Sequence, residues 1–212
     1  PALRVPAIAI LVDLKCYDAI DPLVQIAANA DPAEYGPALD GLRGIADPDK
    51  TDIPRLVKLL LRSEAGKHRD EVEKTILIVC NKLPAKADRS ELVLASLDKV
   101  APSAAPKYLP VLGRLGGSKA LEKIEASLDG PDPAVQEAAV RALCNWPNAE
   151  VADRLLDLAK NSKNRAFQLW ALRAYIRVVS LKSERPEAKT LAMLQDAFKL
   201  ADGADEKRLT IE

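Results

Sequence analysis

Val135-Gln-Glu-Ala-Ala-Val-Arg-Ala-Leu143 and Phe167-Gln-Leu-Trp-Ala-Leu-Arg-Ala-Tyr175 are one helical surface written twice. The same face returns, less sharply, in 37–45, 74–82 and 107–115. Counted from Pro37, Lys74, Lys107, Ala138 and Trp170, the intervals are 37, 33, 31 and 32 residues. A period in this range marks stacked repeats, because each unit is too small to bury its apolar face alone and does so against its neighbours. The expected architecture is all-α: an α-α superhelix of stacked hairpins over residues 1–212, with about five full repeats and partial repeats at both ends.

Composition agrees with that reading. Apolar residues make up 48% but aromatics only 4%, so the apolar mass is Ala, Leu, Ile and Val, which suits close helix–helix packing. Formal net charge is zero, so the chain as a whole is no polyanion binder, which argues against a nucleic-acid partner and leaves any basic stripe to be sought by position. No apolar run reaches membrane-spanning length. The chain starts at Pro1 without Met and stops at Ile211-Glu212 as a further helix begins, which reads as a piece of a longer protein.

Helix starts are written as Asp near Pro: Asp21-Pro22, Asp31-Pro32, Asp132-Pro133, and Asp52 before Pro54, with Ser103 and Ser183 as weaker versions. Stops fall at Gly116-Gly117, Gly130 and Asn161-Ser-Lys-Asn164. These predict first helices at 21–29, 53–63, 89–99, 118–128, 149–160 and 187–200. Second helices are predicted at 36–46, 68–83, 106–116, 133–146 and 165–181. A lone second helix is predicted at 4–15 and another after Asp205. No segment alternates in a two-residue rhythm, so no strand is expected.

Signals for catalysis are weak. His68 is the single histidine, between Lys67 and Arg69 at a hydrophilic helix start, and reads as a solvated turn residue. No nucleotide loop, zinc-protease or nucleophile-elbow motif occurs, and Gly113 to Gly117 is a helix end without a preceding strand. Cys16, Cys80 and Cys144 show no metal spacing and read as buried small apolar residues. Glu122 and Glu125 share a helix flank with Lys119 and Lys123 and read as a solvated face. No catalytic residue, metal or cofactor is therefore expected. Trp146 aligns with apolar positions and is assigned to the core. Trp170 aligns with Lys74 and Lys107, which leaves two readings open: packing on the next repeat, or a surface anchor.

The Asp-Pro turn followed by Val135 to Leu143 resembles the second helix of HEAT repeats, above all the short type of phycobilisome-lyase-like HEAT proteins. Pro133, Val135, Ala138, Ala139, Arg141, Ala142 and Leu143 carry the likeness. The block 170–208 is also similar to HEAT modules of large multidomain planctomycete-type bacterial proteins. The resemblance implies a HEAT-type α-solenoid, a scaffold for protein binding, whose second helices line the concave side. Its enzymatic alternative is a HEAT-like protein acting on DNA bases or bilins; its passive one is a spacer between flanking domains.

Stacking the five second helices sorts their positions. Leu39, Ile76, Leu109, Val140 and Leu172 form one apolar column; Leu42, Val79, Leu112, Leu143 and Tyr175 form another. The polar face beside them carries Lys74, Lys107, Arg114, Arg141, Arg173 and Arg177 against Asp40 alone. With Trp170, these six bases are the candidate partner-binding residues. The partner they imply is a protein with an acidic surface, or flanking domains of the same chain. Charge reversal at Arg141 and Arg173 is expected to leave the fold intact.

Overall fold

The computed structural model describes residues 4–29, 31–48, 51–84, 87–201 and 203–210. The extremes of both partial repeats, residues 1–3 and 211–212, lie outside these residues. The described chain holds thirteen α-helices and no strand. They are α1 Arg4–Asp13, α2 Ile20–Ala27, α3 Pro32–Ile45, α4 Asp52–Arg62, α5 Lys67–Cys80, α6 Glu91–Ala95, α7 Ala105–Leu115, α8 Ser118–Leu128, α9 Pro133–Cys144, α10 Ala152–Asn161, α11 Arg165–Val179, α12 Glu187–Leu200 and α13 Ala204–Leu209. Short 3-10 turns lead into α2, α7 and α10.

Two compact units divide the chain, Pro1–Val111 and Leu112–Glu212. In the first, α2 packs on α3 and α4 packs on α5, while α1, α3 and α5 stack in one layer and α2, α4 and α6 in another. In the second, α8 pairs with α9 and α10 with α11; α9, α11 and α13 form the layer of second helices, and α12 packs on α11. Both apolar columns are buried throughout, from Leu39 to Leu172 and from Leu42 to Tyr175. These helices exist because apolar residues three and four apart gain a neighbour to bury against, which no single hairpin supplies.

The Asp31 and Asp132 side chains cap α3 and α9, accepting from the backbone N–H of Ala33 and Ala134 with Pro in the first turn. Four other expected caps do not form. The helix at Asp21-Pro22 starts earlier, at Ile20, so Asp21 lies inside it and pairs with Arg55 at 2.7 Å. Asp52 is the first residue of α4; its carboxylate turns back to accept from Asp47 N–H and binds Arg55. Ser103 sits inside the 3-10 turn, and the Ser183 hydroxyl accepts from Arg185 N–H within the loop before α12. Conversely Asn164, read as part of a stop, caps α11 by accepting from Ala166 and Phe167 N–H.

The expected helix 89–99 is the largest departure. Only Glu91–Ala95 is α-helical. Asp88 holds both the backbone N–H and the hydroxyl of Ser90 in a turn, and the Ser96 hydroxyl bonds back to the Leu92 carbonyl. The N–H groups of Ser96, Leu97 and Val100 then reach only three residues back, so the last turns tighten and the helix is lost.

Gly116 and Gly117 end α7 with φ of 75° and 100°, a conformation that L side chains rarely adopt. Gly113 serves a different purpose. A Cβ there would lie 2.6 Å from the Ala142 Cα and 2.7 Å from its carbonyl carbon, and closer still to its oxygen. Bare backbone at Gly113 is what lets α7 and α9 touch.

Candidate partner-binding surface

In the second unit, the Asp132 and Asn164 caps fix where α9 and α11 begin, and so set which residues face outward. Arg141 on α9 and Trp170 on α11 meet on that flank. The Arg141 guanidinium lies over the indole, 4.1 Å from the ring centroid, while its Nε and Nη2 donate to Glu137 at 2.9 Å. Phe167 also packs against Trp170, with ring centroids 5.6 Å apart. Trp170 is thus half-buried, and its most accessible neighbour is a stacked arginine.

The remaining bases of the stripe are engaged in holding the repeats together. Arg173 donates twice to Glu206 Oε1, at 2.9 and 2.6 Å, fastening α13 to α11. The same guanidinium holds the Glu206 carboxyl below the usual carboxylate range. Arg177 donates to the Cys144 and Trp146 carbonyls at 3.0 and 2.8 Å, satisfying acceptors that the end of α9 leaves without intrahelical partners. Arg114 stands exposed near the end of α7.

In the first unit, Lys107 Nζ donates to the Leu61 carbonyl at 2.6 Å, near the end of α4. Lys74 is exposed, with Nζ 3.9 Å from Glu71. Glu71 also pairs with Arg43 at 2.5 Å, and that hydrogen bond above all pulls its carboxyl pKa down. Reading the columns alone counted Asp40 as the sole acid. The structure adds Glu71, Glu137 and Glu206, each one to four residues off the columns or on a neighbouring helix. Arg141 and Arg173 both lie off the apolar columns, but each is engaged: Arg141 is stacked on indole, and Arg173 is clamped to a nearly buried carboxylate, so charge reversal is suited to Arg141 alone.

Two repeated devices escaped the sequence reading. Lys82 Nζ donates to the Gly44 and Ala46 carbonyls at 3.2 and 2.7 Å, doing at the end of α3 what Arg177 does at the end of α9. Burial lowers its pKa, partly countered by Asp47 and Asp52. Lys82 and Arg177 sit one position apart in the aligned stretches, and that near-match was the available signal. Gln136 and Gln168, identical in the two aligned segments, each donate to the carbonyl six residues back, Gly130 and Ser162, bracing the turn inside a hairpin. Arg69 does the same to Ser63.

His68 is not a solvated turn residue. Its ring lies 4.6 Å from Tyr35, and Nε2 is 2.7 Å from the Ala27 carbonyl, so it joins two hairpins. Trp146 is fully buried, and its indole N–H donates to Glu150 at 2.7 Å. Of the three cysteines expected to be buried, Cys80 is, while Cys16 and Cys144 are half-buried. Desolvation pushes the Cys80 and Cys144 thiols up to about 12, which keeps them protonated and poor as ligands or nucleophiles. Glu122 is exposed and Glu125 lies 3.9 Å from Arg154. Among the described residues no three His, Cys, Asp or Glu side chains are placed to hold a metal ion, and no helix is long and apolar enough to cross a membrane.

Residues 121–212 match the family model of HEAT repeats. No curated protein and no solved structure matches the chain. Paired helices stacked through buried columns, Asp-Pro caps and this match agree on an all-α, HEAT-type fold, and residues 121–212 are the part of the chain that matches HEAT repeats.

Proposed function

We propose that this chain is a non-enzymatic protein-interaction scaffold, and that its second unit docks a partner presenting acidic side chains, either a separate protein or a flanking domain of the same chain. The coarse part of this reading follows the family, whose repeats commonly serve as protein-interaction scaffolds. The finer part rests on one observation: Arg141 laid over the half-buried Trp170. An arginine already ordered on an aromatic face loses little further freedom on binding a carboxylate, and the indole supplies apolar area beside it. Arg173 and Arg177 support that flank by fixing the repeats, while Lys107 braces the first unit. Lys74 would extend the basic character on the first unit.

The test is titration with acidic peptides, followed by tryptophan fluorescence, which reports mainly Trp170 because Trp146 is sealed in the core. Binding should weaken with salt, since exposed charges are screened over ~8 Å at physiological ionic strength. Arg141→Glu should abolish it while leaving the helical signal intact. Arg173 is unsuited to reversal, because a glutamate there would face Glu206. Unchanged affinity in folded Arg141→Glu overturns the docking reading and leaves a passive spacer; a salt-dependent affinity for duplex DNA would instead favour a HEAT-like protein acting on DNA.

A further inference from the structure

The first unit holds a cleft remote in sequence from Arg141 and Trp170. Its volume is about 380 Å³, and it lies between the hairpins α2–α3 and α4–α5, lined among others by Tyr35, Leu59, Arg62, Glu64, Lys67 and His68. Sites for small molecules begin near this size. Tyr35 is 5% exposed, and its ring rests on His68. His68 is itself tied to the Ala27 carbonyl, which holds the aromatic pair in place. The Tyr35 hydroxyl has no hydrogen-bond partner among the described residues, and the cleft is where it reaches solvent. A hydroxyl on a side chain this buried ordinarily has a partner. Here it is offered to whatever fills the cleft.

The rest of the polar wall is mostly donors. Arg62 ends α4 and Lys67 begins α5; both are exposed, and neither forms an ion pair among the described residues. The turn between them is fixed by Arg69, whose guanidinium donates to the Ser63 carbonyl. That turn delivers Gly66, with φ of 128° and no side chain to cap the helix, as the residue before α5. The backbone N–H groups of Lys67, His68 and Arg69 have no acceptor among the described residues, whereas Asp70 N–H closes on the Gly66 carbonyl. A helix start carries partial positive charge and favours acids. Helix α5 opens instead on Lys67, His68 and Arg69, with Asp70 the acid of its first turn. Glu64 is the one carboxylate among the residues lining the cleft, and it is exposed. Unpaired cations, a positive helix end and an unanswered hydroxyl border one space, an arrangement that costs stability until an anion occupies it.

We propose that this cleft binds a small phosphate monoester. The phosphoryl group, carrying ~1.5–2 negative charges near neutral pH, sits over the start of α5 and takes Arg62, Lys67, the free N–H groups and the Tyr35 hydroxyl as its donors. A carboxylate answers the two cations with a single charge and fewer oxygens. Leu59 and the Tyr35–His68 pair form the wall against which the organic part lies. The site shares no residue with the Arg141–Trp170 surface, so it stands whether or not that surface docks a partner.

Titration of the isotope-labelled chain with phenyl phosphate at constant ionic strength, read by amide chemical shifts, tests this. The amides of Gly66, Lys67, His68 and Arg69 should move along a saturable curve, and acetate at the same concentrations should leave them in place. Phenyl phosphate should bind more tightly than inorganic phosphate, which leaves Leu59 and the aromatic pair uncovered. Tyr35→Phe removes only the hydroxyl and should weaken binding about tenfold or more. Should that variant lose the wild-type circular dichroism, Arg62→Ala, at an exposed position, takes its place with the same expected loss. Lys67→Glu supplies an acid at the helix start; it should bind no phenyl phosphate, yet unfold at a urea concentration no lower than the ligand-free wild type. A lysine that served only the fold would not separate binding from stability in this way. Shifts that rise linearly without saturating overturn the proposal. So do acetate or inorganic phosphate binding as tightly as phenyl phosphate, unchanged affinity in folded Tyr35→Phe or its substitute, and binding that survives in Lys67→Glu.

Discussion

Gly113→Ala and Gly36→Ala make the same chemical change in two helices and should shift stability in opposite directions. Both glycines lie inside helices, where alanine is favoured over glycine by up to about 1 kcal/mol. At Gly36 a new Cβ meets nothing within 4 Å beyond its chain neighbours, so part of the helical gain should appear, less the crowding of a Cβ set before Pro37, as up to roughly 0.5 kcal/mol of added stability. At Gly113 the Cβ would sit 2.6 Å from Ala142 Cα and 2.7 Å from its carbonyl carbon, where real Cβ contacts begin above 3.0 Å. The obstacle is backbone, which cannot rotate aside. Ala142 itself is fully buried beside Leu143 and Val140, so α7 and α9 must separate along their contact. Overpacking of a dense core costs typically about 1–3 kcal/mol, and a backbone clash belongs at the upper end of that range. After subtracting the helical gain, Gly113→Ala should be destabilising by about 2 kcal/mol. Urea titration followed by tryptophan fluorescence reads the second unit directly, because Trp146 and Trp170 both belong to it. Far-UV circular dichroism reads both units and is suited to Gly36→Ala. If Gly113→Ala is as stable as the wild type or more so, α7 and α9 do not approach as described, and the helical register of that repeat is wrong.

Leu143→Ala should cost ~2–5 kcal/mol by leaving a cavity in a fully buried column, whereas Arg141→Ala, two residues earlier and exposed, should cost under about 1 kcal/mol; equal costs in urea melts would refute the column register. Cys80 and Cys144 should resist alkylation in the folded protein at pH 8 and react once urea is added. Because burial raises their folded pKa from 9.0 to about 12, their contribution to stability is intact below the unfolded value and fades as pH climbs toward 12, a loss that Cys144→Ala should reduce. Arg173 lowers the Glu206 pKa, so that pair stabilises α13 above the ordinary carboxylate pKa and is lost as pH falls through the depressed folded value; Glu206→Gln should speed amide exchange across Lys207–Thr210 at neutral pH and remove its acid dependence. Amide exchange in 4–15 and 203–210 should outpace that of α9 and α11, since the outer faces of α1 and α13 are uncovered.

The apolar columns, most helix boundaries and the Asp31 and Asp132 caps were legible in the sequence. They depend on interactions within four residues, where the pitch of a helix decides which side chains share a face. The collapse of α6 was less legible, although its causes, Asp88, Ser90 and Ser96, are also local. Their side-chain bonds compete with helix on nearly equal terms, and apolar spacing does not report that balance. What lay beyond the sequence was every contact set by how closely separate helices approach. His68 finds Tyr35 and Ala27 thirty-three and forty-one positions away; Lys82 and Arg177 reach carbonyls of the preceding repeat; Gly113 meets the backbone of Ala142. Column reading could place Arg141, Arg173 and Trp170 on one polar face. Only the packing of α9, α11 and α13 decided that one arginine stacks on the indole while the other is taken up by Glu206, because a long side chain's partner depends on distances between helices that periodicity leaves unspecified.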